Sequence, residues 1–186
     1  KIILPKKQIF HKIKNLINSE NVLVGIEPSS LLSFRDEYPS LVEENIEQLN
    51  SNIYLFDEFF AKEIEENNIS AEQFTQKAEK ILLHGHCQQK ALIGSVYMEK
   101  MLSLPKNYSV EVIPSGCCGM AGSYGYEKRH YEKSKQIADL HLTKAINKAD
   151  KSTIISAPGT SCREQIKHFT QRKALHPIEI MYNALK

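Results

Sequence analysis

Short, apolar, branched runs recur along this chain at residues 22–26, 53–56, 81–83, 110–113 and 152–155, and they limit its fold more than any other feature. Each is too short for a helix and is apolar at successive positions. Such runs read as strands buried on both faces, the condition of a parallel sheet. Between them lie stretches with helical spacing. Residues 41–50 carry Leu41, Val42, Ile46 and Leu49 among glutamates, and residues 127–148 carry Ile137, Leu140, Leu142 and Ile146 as a stripe. A third stretch, 71–80, follows Ser70 as a cap with Gln73 three positions on. The alternation predicts an α/β fold: Rossmann-like layers built on a parallel sheet, right-handed crossovers, and helices on both faces. Functional groups then belong at the carboxyl ends of the strands, where the βα turns gather.

Composition removes several classes of function. Of the 186 residues 41% are hydrophobic and 25% charged, a globular mixture with enough apolar side chains for a core. The net charge of +2 is too balanced for a nucleic-acid binder that works by neutralising phosphates. No apolar run reaches the roughly 18 residues of a membrane helix, so direct insertion into a membrane is not expected. The start, Lys1 to Pro5, lacks both an export signal and a Met. A piece of a longer cytoplasmic polypeptide is therefore expected, attached to the inner membrane face, if at all, through partners.

Four cysteines are too few for a disulfide scaffold. Their placement says more. Cys87 follows the run at 81–83, the pair Cys117-Cys118 follows 110–113, and Cys162 follows 152–155. Neighbouring cysteines bonded to each other would close a strained ring, so a structural Cys117–Cys118 disulfide is not expected. Inert buried thiols are the alternative, but these cysteines sit among glycines and small polar residues instead of inside apolar runs. Residues each at the carboxyl end of a parallel strand can meet in one crevice.

Two parts of the chain resemble each other. Residues 22–31 (Val-Leu-Val-Gly-Ile-Glu-Pro-Ser-Ser-Leu) parallel 153–163, which places Ser30 opposite Cys162. Residues 53–60 parallel 173–181, which places Glu58 opposite Glu179. Two pseudo-repeated units follow, 1–70 as a shortened first copy and 71–186 as a complete second, packed as one α/β domain.

With these residues in view, the chain resembles the cysteine-rich, CCG-type domain of iron–sulfur oxidoreductases. The stretches that carry the likeness are His84-Gly85-His86-Cys87-Gln88-Gln89-Lys90, Pro114-Ser115-Gly116-Cys117-Cys118-Gly119-Met120, Gly159-Thr160-Ser161-Cys162 and His176-Pro177-Ile178-Glu179. The family includes the iron–sulfur subunit of glycolate oxidase and the cysteine-rich subunits of anaerobic glycerol-3-phosphate dehydrogenase and of heterodisulfide reductase. The wording around Gly116 to Lys128, and around Gly25 to Glu37, is most similar to the carboxyl-terminal part of FAD-linked oxidases.

The resemblance implies that Cys87, Cys117, Cys118 and Cys162 are metal ligands holding an iron–sulfur cluster, of the 4Fe-4S kind, or zinc. Thiolates suit both. It implies a module that passes electrons from the flavin of a 2-hydroxy-acid dehydrogenase, of the glycolate or D-lactate type, to an acceptor. The FAD would sit on a further domain or on a partner, and the module alone is not expected to turn over substrate. His86 is a candidate ligand, and Gly116 and Gly119 are candidates to bring backbone N–H groups to the cluster. His84, His176 and Glu179 are weaker candidates, with hydrogen bonding at strand and helix ends as their alternative.

Two departures stand out. Gly159 occupies the place of a further cysteine in the heterodisulfide reductase form, and Ser30 that of a cysteine in the fused oxidases. Both favour a second reading, a zinc-binding or metal-free domain that docks the flavin partner. A third reading is thiol–disulfide chemistry at Cys117 and Cys118.

Overall fold

The computed structural model describes residues 12–18, 20–42 and 51–186. Every strand pairing in it is parallel. The first unit opens with strand β1 (Leu23–Gly25), the short helix α1 (Pro28–Leu31) and helix α2 (Glu37–Val42). Strand β2 (Ile53–Leu55) and helix α3 (Phe56–Glu65) complete it. β1 and β2 form a two-stranded sheet in the register Leu23–Ile53 to Gly25–Leu55. Residues 43–50 lie outside the described residues, and with them most of the helix expected over 41–50.

The second sheet has the order β4-β3-β5-β6. Strand β3 (Glu79–Leu83) leads to helices α4 (Cys87–Leu92) and α5 (Val96–Leu102), then to strand β4 (Tyr108–Val112). Helices α6 (Tyr131–Leu140) and α7 (Leu142–Lys148) precede strand β5 (Ile154–Ser156). Helix α8 (Thr160–Thr170), strand β6 (Ala174–Leu175) and helix α9 (Pro177–Ala184) finish the chain.

Helices cover both faces of this sheet. On one, Leu82 and Ile155 pack with Leu142, Ile146 and Ile166 of α7 and α8. On the other, Ile81 and Leu83 pack with Met98, Met101 and Leu102 of α5 and with Ile180 and Met181 of α9. Burying each such side chain is worth about 1.5–3 kcal/mol. Successive strand residues point to opposite faces, so β3 serves both layers. The α/β reading and the parallel layers hold, and the strand bounds agree with the sequence to within two residues.

Two helices differ from expectation. Residues 71–80 form a single 3-10 turn, Ala71–Gln73, followed by extended chain that enters β3. The Ser70 N–H does bond Gln73 Oε1 (2.8 Å), but a cap alone does not propagate a helix. Phe74 is instead drawn into the core, bridging Leu185, and Thr75 N–H bonds the Ala184 carbonyl. The long helix over 127–148 is a 3-10 turn at Lys128–His130 and two helices broken at His141, whose φ of −139° is not helical. The break lets Leu142 and Ile146 keep the sheet while Leu140 swings out to solvent.

The two sheets are tied at their carboxyl ends. Glu27, just before α1, accepts the Thr160 N–H (2.9 Å) and hydroxyl (2.8 Å) at the start of α8. His176 Nε2 donates to the Ile26 carbonyl (2.9 Å). Among the described residues, no helix is long and apolar enough to cross a membrane.

Candidate metal centre

All four cysteines are free thiols at the carboxyl rim of the four-stranded sheet. Cys87 is the first residue of α4, reached by a three-residue turn from β3. Cys117 and Cys118 lie in the turn after β4, and Cys162 is the third residue of α8 after β5. They form a row. Cys87 neighbours Cys117, Cys117 neighbours Cys118, and Cys118 neighbours Cys162, each pair close enough for one thiol to shift the titration of the other. Cys118 and Cys162 are buried; Cys87 and Cys117 are half-exposed at the mouth.

Protonation alternates along the row. Cys162 lies well below the ordinary thiol range because the neighbouring Cys118 thiol and, after it, the nearby His84 imidazole outweigh its burial. Cys118 is pushed up by its neighbours Cys117 and Cys162 and by burial, so it keeps its proton. Cys117, accepting from Cys118 and Cys87, is lowered, and Cys87, donating to Cys117 and partly buried, is raised. Metals bind thiolates, and Cys117 and Cys162 are the two thiols whose surroundings favour that form.

His84 joins them. A ring nitrogen of His84 and the sulfurs of Cys118 and Cys162 lie within 4.8 Å of one another, the one such group of potential ligands among the described residues. His84 Nδ1 is 2.7 Å from Ser115 Oγ, which fixes the ring. Its Nε2 is buried without a hydrogen-bond partner. A fully buried polar nitrogen left unpaired is costly. An ion shared with two adjacent sulfurs would satisfy it, and a row of soft donors with its inner end buried is chemistry that a thiophilic metal fits. The donor set is thus suitable for such a group.

His86, the stronger histidine candidate from sequence, is placed differently. It is buried, and its ring packs against Gly159 so closely that a Cβ there would stand 2.5 Å from His86 Cδ2 and 3.3 Å from Cys162 Sγ. Gly159 therefore makes room for the histidine, and a cysteine at 159 would collide with it. His86 lies beside the site but outside the close-set group. His176 is fully engaged, accepting from Ile178 N–H through Nδ1 (3.1 Å) and donating to Ile26 through Nε2, and burial lowers its pKa. Glu179 accepts the His176 N–H (2.7 Å), an N-terminal cap.

The two glycines differ in role. Gly119 has φ +97°, and a Cβ on it would meet the Ser134 carbonyl at 2.2 Å. Only glycine allows that turn, which aims its N–H at Cys117 Sγ (3.3 Å). Gly116 has open space around it and serves through its carbonyl, which accepts from Lys90 Nζ at 2.8 Å. Lys90 also donates to the Ser115 carbonyl. This ammonium clamps the loop before the cysteine pair and faces all four sulfurs, although burial lowers its pKa.

The structure thus raises His84 above His86 and adds Lys90, which sequence reasoning passes over. The strand period holds the signal for His84: it has the parity of Leu82, which faces the layer containing Cys118 and Cys162. Lys90 offers none, since its partners are carbonyls. Ser30, which the expected repeat sets opposite Cys162, is exposed on α1.

The chain is similar to parts of two kinds of dehydrogenase. Over 165 residues it is 30% identical to a D-2-hydroxyglutarate dehydrogenase of Escherichia coli, covering 88% of this chain and 16% of that protein. The namesake enzyme of Pseudomonas putida is 29% identical over 173 residues, 91% of this chain and 16% of the relative. One subunit of the anaerobic glycerol-3-phosphate dehydrogenase of Escherichia coli is 23% identical over 184 residues, 97% of this chain and 46% of that relative. The chain thus spans about a sixth of the length of the first two relatives. No protein-family model and no solved structure matches it.

Proposed function

We propose that this chain is the cysteine-rich electron-transfer module of an FAD-linked 2-hydroxy-acid dehydrogenase, with Cys87, Cys117, Cys118 and Cys162 as its metal ligands and His84 as a fifth donor. The observation that carries this reading is the row of four thiols with the orphaned nitrogen of His84 at its buried end. The named relatives support a dehydrogenase context and make D-2-hydroxyglutarate the first substrate to assay in the assembled enzyme. The flavin belongs to a dehydrogenase domain or subunit that partners this module. An iron–sulfur cluster, when bound, supplies one-electron storage between flavin and acceptor.

The residues of the chain have definable tasks. Cys118, Cys162 and His84 hold the buried side of the site, where low polarity strengthens every charge interaction. Cys87 and Cys117 close the side nearest solvent. The Gly119 N–H stabilises the Cys117 thiolate, and Lys90 offsets negative charge while pinning the loop. We take residues 1–70 and 71–186 as two copies of one plan, with the sulfur chemistry confined to the second.

A second reading, a structural zinc site, is favoured by the compactness of the His84, Cys118 and Cys162 group. Anaerobic purification followed by iron, sulfide and zinc analysis separates the two. Iron with acid-labile sulfide and broad visible absorption is expected. A colourless protein with stoichiometric zinc and no iron would overturn the electron-transfer reading.

A further inference from the structure

A cleft of about 460 Å³ lies between strands β3 and β4 and helix α7, and the sulfur row does not use it. Its floor is apolar, made of Leu82, Ile113, Pro114, Ala145 and Ala149. Around the floor stand Lys80 on β3 and Lys144 and Lys148 on α7, with His141 just before that helix. Lys80 has the parity of Leu82, and Glu111 that of Ile113, so both rise from the sheet face that α7 covers. Lys144 and Lys148 are about one turn apart, roughly 6 Å along the helix.

Lysines along a helix are ordinarily a solvated face. Two observations set these apart. Three ammonium groups and one carboxylate, Glu111, converge on an apolar hollow, and none of the four forms an ion pair among the described residues. Beneath them, Thr153 lines the same cleft, is 4% exposed, and holds its Oγ1 without a hydrogen-bond partner. Thr153 precedes β5 with the parity of Ile155, so its side chain also points into the layer of α7. An unpaired buried hydroxyl is costly, and an anion held by the lysines would satisfy it.

We propose that this cleft binds a phosphomonoester with an apolar organic body. The excess of positive charge left by Glu111 matches the dianion that such a group forms above its second pKa, about 6. Lysine recognises phosphate as a point charge, whereas the planar fork of a carboxylate suits arginine, and none of the described arginines lines this cleft. The apolar floor takes the organic body, and the volume exceeds what bare phosphate needs, since organic ligands fill clefts upward of about 300 Å³. Glu111 repels an anion, so the phosphate belongs on the α7 side, with Lys144, Lys148 and Thr153. The carboxyl end of α7 would also repel it, but Arg172 answers those carbonyls, donating to Ala149 at 3.3 Å and Asp150 at 3.1 Å. This inference does not rest on the electron-transfer reading.

The test is an anaerobic calorimetric titration of this chain with phenyl phosphate, at fixed ionic strength and about pH 7.5, where the ester is a dianion. Saturable binding is expected, weakened tenfold or more when Lys144→Ala and Lys148→Ala are combined, both at exposed positions. Thr153→Val should bind severalfold more weakly without losing stability, since the hydroxyl it removes has no partner in the free chain. Glu111→Gln should bind more tightly. Lys62→Ala, which removes the same charge from α3, should bind as the unaltered chain does. Inorganic phosphate and phenol should each bind far more weakly than the ester. Absence of saturable binding, affinity untouched in the double lysine variant, or phenol binding as well as its phosphate would overturn the proposal. Sedimentation with phosphatidic acid vesicles, lost in the same lysine variant, would assign the phosphomonoester to a lipid headgroup; binding of phenyl phosphate without it assigns a soluble ester.

Discussion

The two ends of the molecule run the same backbone through different chemistry. In each, a strand leads into a helix whose third residue is Ser30 or Cys162, and a second parallel strand leads into a helix whose third residue is Glu58 or Glu179. Both glutamates accept the N–H of the residue that precedes their helix, Leu55 at 2.8 Å and His176 at 2.7 Å. Yet Ser30 is exposed and Cys162 is buried beside two other donors. The neighbours make the difference. β5 lies against β3, and β3 against β4, the strands whose turns deliver Cys87, Cys117 and Cys118, whereas among the described residues β1 pairs with β2 alone. A strand-to-helix corner is thus a general scaffold, and it gathers several thiols only where adjacent strands bring more sulfur.

The sharpest way to break this comparison is to exchange the chemistry at matched corners. Cys118→Ser and Cys162→Ser are each expected to abolish stoichiometric metal binding, because a hydroxyl is a poor ligand for a soft metal. Ser30→Ala is expected to leave metal content unchanged. Elemental analysis of anaerobic protein decides both. Full metal retention in Cys118→Ser would show that the buried end of the row is not the site.

A second contrast is a buried acid present in only one unit. Position two of α3 is Asp57, and of α9 it is Ile178. Burial raises the Asp57 carboxyl to about 7, and the charge of Glu58 adds to this, despite a hydrogen bond from Gln89 Nε2 at 2.8 Å. An acid whose folded pKa is raised holds its proton better in the folded state. Its contribution is therefore greatest below its unfolded value and is lost as pH rises towards about 7, a change of about 4 kcal/mol in all. Asp57→Asn keeps an acceptor for Gln89 and removes the titration. Urea unfolding at about pH 5 and about pH 8 samples the upper part of that change. The unaltered chain should lose stability across the interval, and the variant should lose about 3 kcal/mol less. Parallel curves would place the proton elsewhere.

Much of this was legible in the sequence, for identifiable reasons. The strands were, since a run such as 81–83 is apolar on both faces and the sheet is indeed covered on both. The convergence of the cysteines was, since each follows a strand and parallel strands share a rim. The choice between His84 and His86 was not, because the turn after β3 and the Gly159 contact decide it. Nor was the fate of residues 71–80, where Ser70 and Gln73 announce a helix but Phe74 gains more from the core. Local signals identify how an element starts; partners distant in sequence decide how far it runs.

Gly159 and Glu27 occupy matched positions before α8 and α1, and they differ in how much room they have. Gly159 has φ −75°, so its backbone suits any residue, and it is chiefly the approach of His86, with Cys162 Sγ next, that excludes a side chain. Gly159→Ala is expected to cost about 1–3 kcal/mol by overpacking, measurable as a lower urea midpoint. It should also displace His86 towards or away from Cys162, visible in the histidine ring resonances. If the variant is as stable as the unaltered chain, the crowding of His86 is not what keeps glycine there.

The paired glutamates give the finest comparison. Glu179 only caps α9, so Glu179→Ala is expected to cost about 1 kcal/mol. Glu58 caps α3 and also receives Arg35 Nη1 on both oxygens, at 2.9 and 3.1 Å, while Arg35 Nη2 donates to the Ile53 carbonyl at 2.7 Å. The pair is mostly buried, with side-chain exposures of 23% and 11%, so removing one partner strands the other's charge. Glu58→Ala should therefore cost about 2–3 kcal/mol more than Glu179→Ala. In the cycle with Arg35→Met that excess should disappear, leaving the cap alone. If the two glutamates prove equal, Arg35 is held by its carbonyl contact and the first unit owes its stability to the same simple cap as the second.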